Sequence, residues 1–287
     1  MPAATTHVEF ARDVFNEMDP ELQKSITDKQ MYFLGSQGPD FFFFSRMMML
    51  PGTLHHYGVR MHHEKVEESI QFMDRYSADS PALRSYFLGF LTHYALDSTA
   101  HPLVNAFARK EHEELGTNET EAHFRQEGEI DFYILKQHGR SFKEYNVYSD
   151  LHINEADAHL LADMYHQLFL HIYDLDIPES RIFETAWQIH WITKALFPSE
   201  WKYNLVKTVE TLAKRPKLIS GMMLFNKATN SAVLNLDHEE WTVPAYPGLT
   251  SRSSFPDLYL EAKQKALHLM KERKHEDFDR TFDGCPV

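Results

Sequence analysis

Residues 93–101 read His-Tyr-Ala-Leu-Asp-Ser-Thr-Ala-His. The side chains that can do chemistry, His93, Asp97 and His101, recur every fourth residue, a spacing that puts them on one face of an α-helix within reach of a common point. Imidazole nitrogen and carboxylate oxygen together make a donor set for a divalent metal. The segment around them, ALRSYFLGFLTHYALDSTA (82–100), is apolar nearly all round, the mark of a buried helix. A buried Asp between two buried His is costly without a partner. A local Asp–His hydrogen-bond network is one solution; a metal ion satisfies all three side chains at once and is the better one. His123 and Glu127 repeat the four-residue spacing, a weak signal alone because both types are common on solvated helices. Upstream, Asp40 ends the turn GSQGPD, which can present one carboxylate into a pocket. His7 opens the first helical pattern, and His55, His56, His62 and His63 lie in LHHYGVRMHH.

The elements that must position these residues are helical. Apolar residues recur with a 3.6-residue period over 7–18, 64–76, 82–101, 119–138, 155–173, 179–195, 199–213 and 256–274, and strand-like alternation is nearly absent. Ser80-Pro81 makes an N-cap and first helical residue for the buried helix, and Pro102 predicts its end near His101. Residues 35–40, 50–58 and 234–255 read as loops. The expectation is an all-α protein, a single-domain multi-helix bundle around the buried central helix. Within one domain spanning 1–287, residues 1–138 form a metal-ligand half and 139–287 a helical packing half. Phe41–Phe44 and Met47–Met49 read as the core face of a short helix, with the wall of an acyl-chain pocket as the other reading. Trp187, Trp191 and Trp201, and His159, His166, His171 and His190, are expected in the core; 263–275 reads as a solvated basic stripe.

Composition narrows the chemistry. Eighteen His among 287 residues is an excess, and 42 Asp+Glu against 29 Lys+Arg leave a net charge of −13, which makes duplex nucleic acid an unfavourable partner. The single Cys285 excludes a disulfide framework and a Cys-rich zinc finger. MPAATTHVEF lacks the features of a signal peptide and no apolar run has membrane-spanning length, so a cytoplasmic location is expected. HExxH, GxxxxGK[ST], GxSxG and GxGxxG are absent.

A His near the N-terminus, a Gly-Pro-Asp turn, a His before a helix, HxxxDxxxH and then HxxxE: in this order, over roughly residues 5–130, the chain resembles the zinc-dependent phospholipase C family, whose relatives include S1/P1-type nucleases and the N-terminal domain of glycosylphosphatidylinositol-specific phospholipase D. The resemblance implies an all-α fold holding zinc in a cleft as a trinuclear site. By it, Asp40, His62, His93 and Asp97 bind a first Zn2+, and His101, His123 and Glu127 a second. His7 and a bridging Asp97 bind a third, and Asp40 doubles as general base. His62 is taken from its cluster because it directly precedes the 64–76 helix, as the family's ligand does, with His63 as the next choice and His55 and His56 left to line the cleft or face solvent. Secreted members complete the third site with the mature N-terminal amine; here that group would be Pro2 after loss of Met1. Two or three Zn2+ ions are expected, with Fe or Mn as the alternative in the same ligands. The implied activity is phosphoester hydrolysis, phospholipase C-like, by a metal-activated water. Phe and Met after Asp40, with Arg46 the one charge among them, favour a phospholipid or small phosphoester substrate over single-stranded nucleic acid. The alternatives are a single-strand nuclease or nucleotide phosphatase of the same fold, and a non-catalytic metal-binding helical protein.

Overall fold

The computed structural model describes the chain except residues 1–3, 49, 142–143, 146, 196–198, 214–216, 218–219, 222, 224–230 and 247, and only the backbone of Met47, Met48 and Ser231. The methionine run and the N-terminal amine therefore lie outside what is described. The chain is all-α, with a two-residue antiparallel pair, β1 (Trp241–Thr242) and β2 (Thr250–Ser251), as its one sheet among the described residues.

One helix organises the rest. Before it come α1 (Ala4–Glu17), α2 (Pro20–Ser25), α3 (Lys29–Gly35), a 3-10 segment (Gly38–Met48), α4 (His55–His63) and α5 (Val66–Tyr76). The central helix is α6 (Pro81–Leu115). Ser80 caps it by accepting from Leu83 N–H, and Gly116, left-handed at φ 67°, ends it. It runs a further three to four turns beyond the expected stop at Pro102. The lost hydrogen bond and ring clash of a helical proline cost about 3 kcal/mol. Burial of Leu103, Val104, Phe107 and Ala108 past the proline offsets that cost.

Then follow α7 (Glu119–Gln137), α8 (Val147–Asp150), α9 (Glu155–Tyr173), α10 (Glu179–Ala195), α11 (Glu200–Leu212) and α12 (Phe255–Lys271). α1, α3, α7 and α12 pack on α6, and α10 packs on α9 and the 3-10 segment. α3 approaches α6 backbone to backbone. A Cβ on Gly35 would come within 2.0 Å of Tyr86 O, and one on Gly89 within 1.9 Å of Tyr32 O.

Several local expectations differ from what the fold adopts. The second half of the expected 50–58 loop is instead the start of α4 (His55–His63), because Gly58 lets it lie against the 3-10 segment, where a Cβ would meet Pro39 O at 2.8 Å. Asp40 is in the first turn of that 3-10 helix rather than in an open loop. Phe41, Phe42 and Phe44 are core, packed with Tyr165 and Phe169, while Phe43 is half-buried at a cleft wall. Trp187, Trp191 and Trp201 are not core; they are 42–66 % exposed, because α10 and α11 turn those faces outward. His159 and His171 are also at the surface, whereas His166 and His190 are half-buried, with Nδ1 against the carbonyls of Ile177 and Tyr148. The basic stripe is laced into the acidic body: Lys263 pairs with Glu17, Lys271 with Asp19, Arg273 with Asp74 and His275 with Glu67.

No helix among the described residues is long and apolar enough to cross a membrane.

Candidate metal centre

Five elements supply the eight predicted residues: seven line one open cleft of about 480 Å³, and His93 is fully buried against Asp97, its Nε2 3.0 Å from Oδ2. α1 supplies His7 from its first turns. That turn is pinned to α7 by Thr6, whose N–H and hydroxyl donate to Asp131 Oδ1 at 2.8 and 2.5 Å. The 3-10 segment supplies Asp40, and the last turn of α4 supplies His62. α6 supplies His93, Asp97 and His101, and the first half of α7 supplies His123 and Glu127.

The turn 35–40 does several jobs in six residues. Gly35 allows the close approach of α3 to α6. Ser36 O accepts the Nδ1–H of His93 at 3.0 Å. Gly38, at φ 52°, lies under the His93 ring, where a Cβ would come within 2.2 Å of a ring carbon. Asp40 Oδ1 is then 3.2 Å from His62 Nε2. Gly58 O accepts the Nδ1–H of His62 at 2.8 Å. In both rings the backbone carbonyl holds the proton on Nδ1 and leaves the Nε2 lone pair facing a carboxylate, Asp40 for His62 and Asp97 for His93.

The cleft-facing atoms form two groups. In the first, Asp97 is the hub: Oδ2 is 3.0 Å from His93 Nε2 and 3.9 Å from His62 Nε2, and Oδ1 is 3.2 Å from His7 Nε2. The His7 ring stacks on that of His93 with centroids 4.1 Å apart. In the second, His101 Nε2, His123 Nε2 and Glu127 Oε1 make a triangle with sides of 3.1, 3.0 and 3.4 Å. A tetrahedral ion with bonds of about 2.0–2.1 Å sets its donors about 3.3–3.4 Å apart. Two sides of that triangle are shorter than this by a few tenths of an ångström and one matches it, so the three donors are gathered closely enough to hold one ion.

The electrostatics agree. Burial lowers the pKa of His93, more than Asp97 raises it, so the ring is neutral. Its buried Nε2 makes no hydrogen bond, although it faces a carboxylate oxygen. A lone pair against a carboxylate is repulsive unless a cation lies between them, so the donor set fits zinc. Burial would raise Asp97, but His93, His7 and His101 hold it well below the usual carboxylate range. His123 and His101 do the same for Glu127 against its burial. Burial opposes protonation of His101, yet Asp283 and Asp97 raise its pKa well above the usual value.

Of the four histidines in 55–63, the fold turns His62 inward. His63 is half-exposed and contacts Asp283 at 3.2 Å, and His55 and His56 do not line the cleft. Asp283, 2.7 Å from His101 Nδ1, is the cleft residue that sequence reasoning missed. It lies 182 positions from its partner in sequence, and no local spacing connects them. Phe43, Val59 and Phe124 make an apolar rim, and no Lys or Arg is among the described lining residues.

A family model described as zinc dependent phospholipase C covers residues 6–176, more than half of the chain, from the turn before His7 to just past α9. No curated protein and no solved structure matches the chain. With the match spanning every element that lines the cleft except the C-terminal turn, the chain belongs to the zinc-dependent phospholipase C family.

Proposed function

We propose that the protein is a zinc-dependent phosphoester hydrolase acting on a phospholipid or a similar small phosphodiester. The observation that carries this reading is the gathering of buried and half-buried imidazole nitrogens against carboxylates, or one another, within about 3.0–3.4 Å in and beneath an open cleft. In this reading Asp40, His62, His93 and Asp97 hold one ion and His101, His123 and Glu127 a second. His7 with Asp97 Oδ1 begins a third site. Each set has at most four protein donors, which leaves room for water and substrate, as a catalytic site requires. Bound zinc would lower the pKa of a coordinated water and polarise phosphoryl oxygens. The chain's own contribution is orientation. Ser36 and Gly58 orient two rings through their Nδ1–H, Asp97 would join the first and third sites, and Asp40, which lines the cleft, would take a proton as general base.

The rim favours lipid over nucleic acid. Single-strand binding combines aromatic platforms with a basic groove along the backbone. Here Phe43, Val59 and Phe124 border the cleft without a described Lys or Arg, and Glu119 lies among them. The test is metal analysis joined to a hydrolysis panel of a chromogenic phosphodiester, a phosphomonoester, phosphatidylcholine and single-stranded DNA. Two or three zinc ions per chain and diester hydrolysis are expected. Asp97→Asn is expected to lose at least one ion and about 100-fold or more of the activity, since loss of an outer-sphere partner alone costs about 10–100-fold. A variant that keeps both metal and activity would refute the assignment.

A further inference from the structure

The end of the chain lies beyond the matched segment, yet it closes one side of the cleft. After α12 a short 3-10 turn, His275–Phe278, leads into a hairpin in which Arg280 bridges Pro286. Thr281 N–H donates to Cys285 O at 2.7 Å, and Gly284 N–H donates to Thr281 O at 3.0 Å. The hairpin is plugged into the body on both sides of Asp283. Phe282 N–H donates to the carbonyl of His62 at 3.1 Å, and its buried ring packs on those of His62 and His93. Gly284, left-handed at φ 70°, sits where a Cβ would come within 2.5 Å of the Pro102 ring. Neither neighbour can shift without a clash or a lost core contact, so the backbone on both sides of Asp283 is held in place.

The Asp283 side chain is directed towards His101. Asp283 Oδ1 is 2.7 Å from Nδ1, an ion-pair contact outside hydrogen-bond alignment, while Nε2 of the same ring faces His123 and Glu127. An imidazole that gives its Nδ1 proton to an acceptor keeps its lone pair on Nε2. His62 and His93 use the carbonyls of Gly58 and Ser36 for this purpose. His101 has a carboxylate instead, a stronger orienting partner that also makes the ring a better donor.

We infer that Asp283 is a positioning residue for the second metal group: in the zinc-loaded centre it accepts the Nδ1–H of His101 and so presents Nε2 to zinc, making the C-terminal hairpin part of the metal centre. This rests on the reading of His101, His123 and Glu127 as zinc ligands. The experiment is a zinc titration of the full chain against a chromogenic chelator, with the visible spectrum of the cobalt-substituted protein as a second readout. Asp283→Ala is expected to weaken one of the bound ions by about 10–100-fold and to change the cobalt bands. Asp283→Asn, whose amide oxygen still accepts the proton, is expected to recover part of that loss. His63→Ala removes the other partner of Asp283 and is expected to leave zinc affinity unchanged. Wild-type zinc affinity and cobalt bands in Asp283→Ala overturn the inference, even if that variant melts earlier. A wild-type chain that binds no zinc instead removes the reading of the site itself, so the two failures are told apart by which protein shows them.

Discussion

A buried histidine can serve a metal with one ring nitrogen only when the other has been assigned a hydrogen-bond partner, and Gly38 shows how closely that assignment is held for His93. The glycine takes a left-handed backbone at φ 52°, and its missing Cβ is what allows the ring to rest against the turn. Gly38→Ala would meet both penalties: about 1–3 kcal/mol of backbone strain, and displacement of the ring from Ser36 O. The expected outcome is a lower melting temperature together with loss of zinc from the first group but not from His101, His123 and Glu127. Zinc stoichiometry measured beside calorimetry checks this, and a variant that is destabilised yet fully loaded would show that His93 can move without consequence. The same reasoning explains why His62, rather than His63, is inside. On α4 the two differ by one helical position: the His62 ring is turned inward with its Nδ1–H on Gly58 O, while His63 lines the cleft half-exposed beside Asp283.

At the scale of elements, the site depends on contacts between helices more than on any helix alone. The α3–α6 crossing is so close that Gly89→Ala would drive a methyl into the backbone carbonyl of Tyr32, a clash that no rotamer change relieves. A loss of at least about 3 kcal/mol is expected in urea unfolding, the upper range for an overpacked core. The contact between α1 and α7 has a different character, because it is made through Asp131. Burial raises the Asp131 carboxyl to about 7, although the Thr6 hydrogen bonds lower it. The unfolded carboxyl titrates near 4. Between those values the folded chain binds a proton that the unfolded chain has released, so this group lowers stability progressively as pH rises from about 4 to about 7. Asp131→Asn keeps an oxygen for Thr6 and has no proton to lose. Its stability relative to wild type is therefore expected to improve with pH across that window and to level off above it. Urea midpoints at a series of pH values test the sign, and an opposite slope would mean that Asp131 is ionised in the fold.

For the molecule as a whole, the −13 charge and the metal centre are connected. Asp40, Asp97, Glu127 and Asp283 converge on one cleft, and ions bound there would neutralise much of their repulsion. A ligand present at 100 times its dissociation constant stabilises a fold by about 2.7 kcal/mol. At about 2 °C per kcal/mol, chelation is expected to lower the melting temperature by about 5 °C or more, and zinc to restore it. An unchanged melting curve would mean that the cleft binds no ion in the native protein. Much of this was legible in the sequence because it is local. The helical period, the four-residue spacing of His93, Asp97 and His101, and the order of the candidate ligands all follow from short-range geometry, and the bounds of α7, α9 and α10 lie within a residue of those expected. What periodicity does not encode needed the tertiary structure. Residues distant in the chain decide that α6 continues through Pro102, that 55–63 is a helix with His62 turned inward, that three tryptophans face outward, and that Asp283 reaches His101. Each of those outcomes is set by what packs against the segment, and that partner is written elsewhere in the chain.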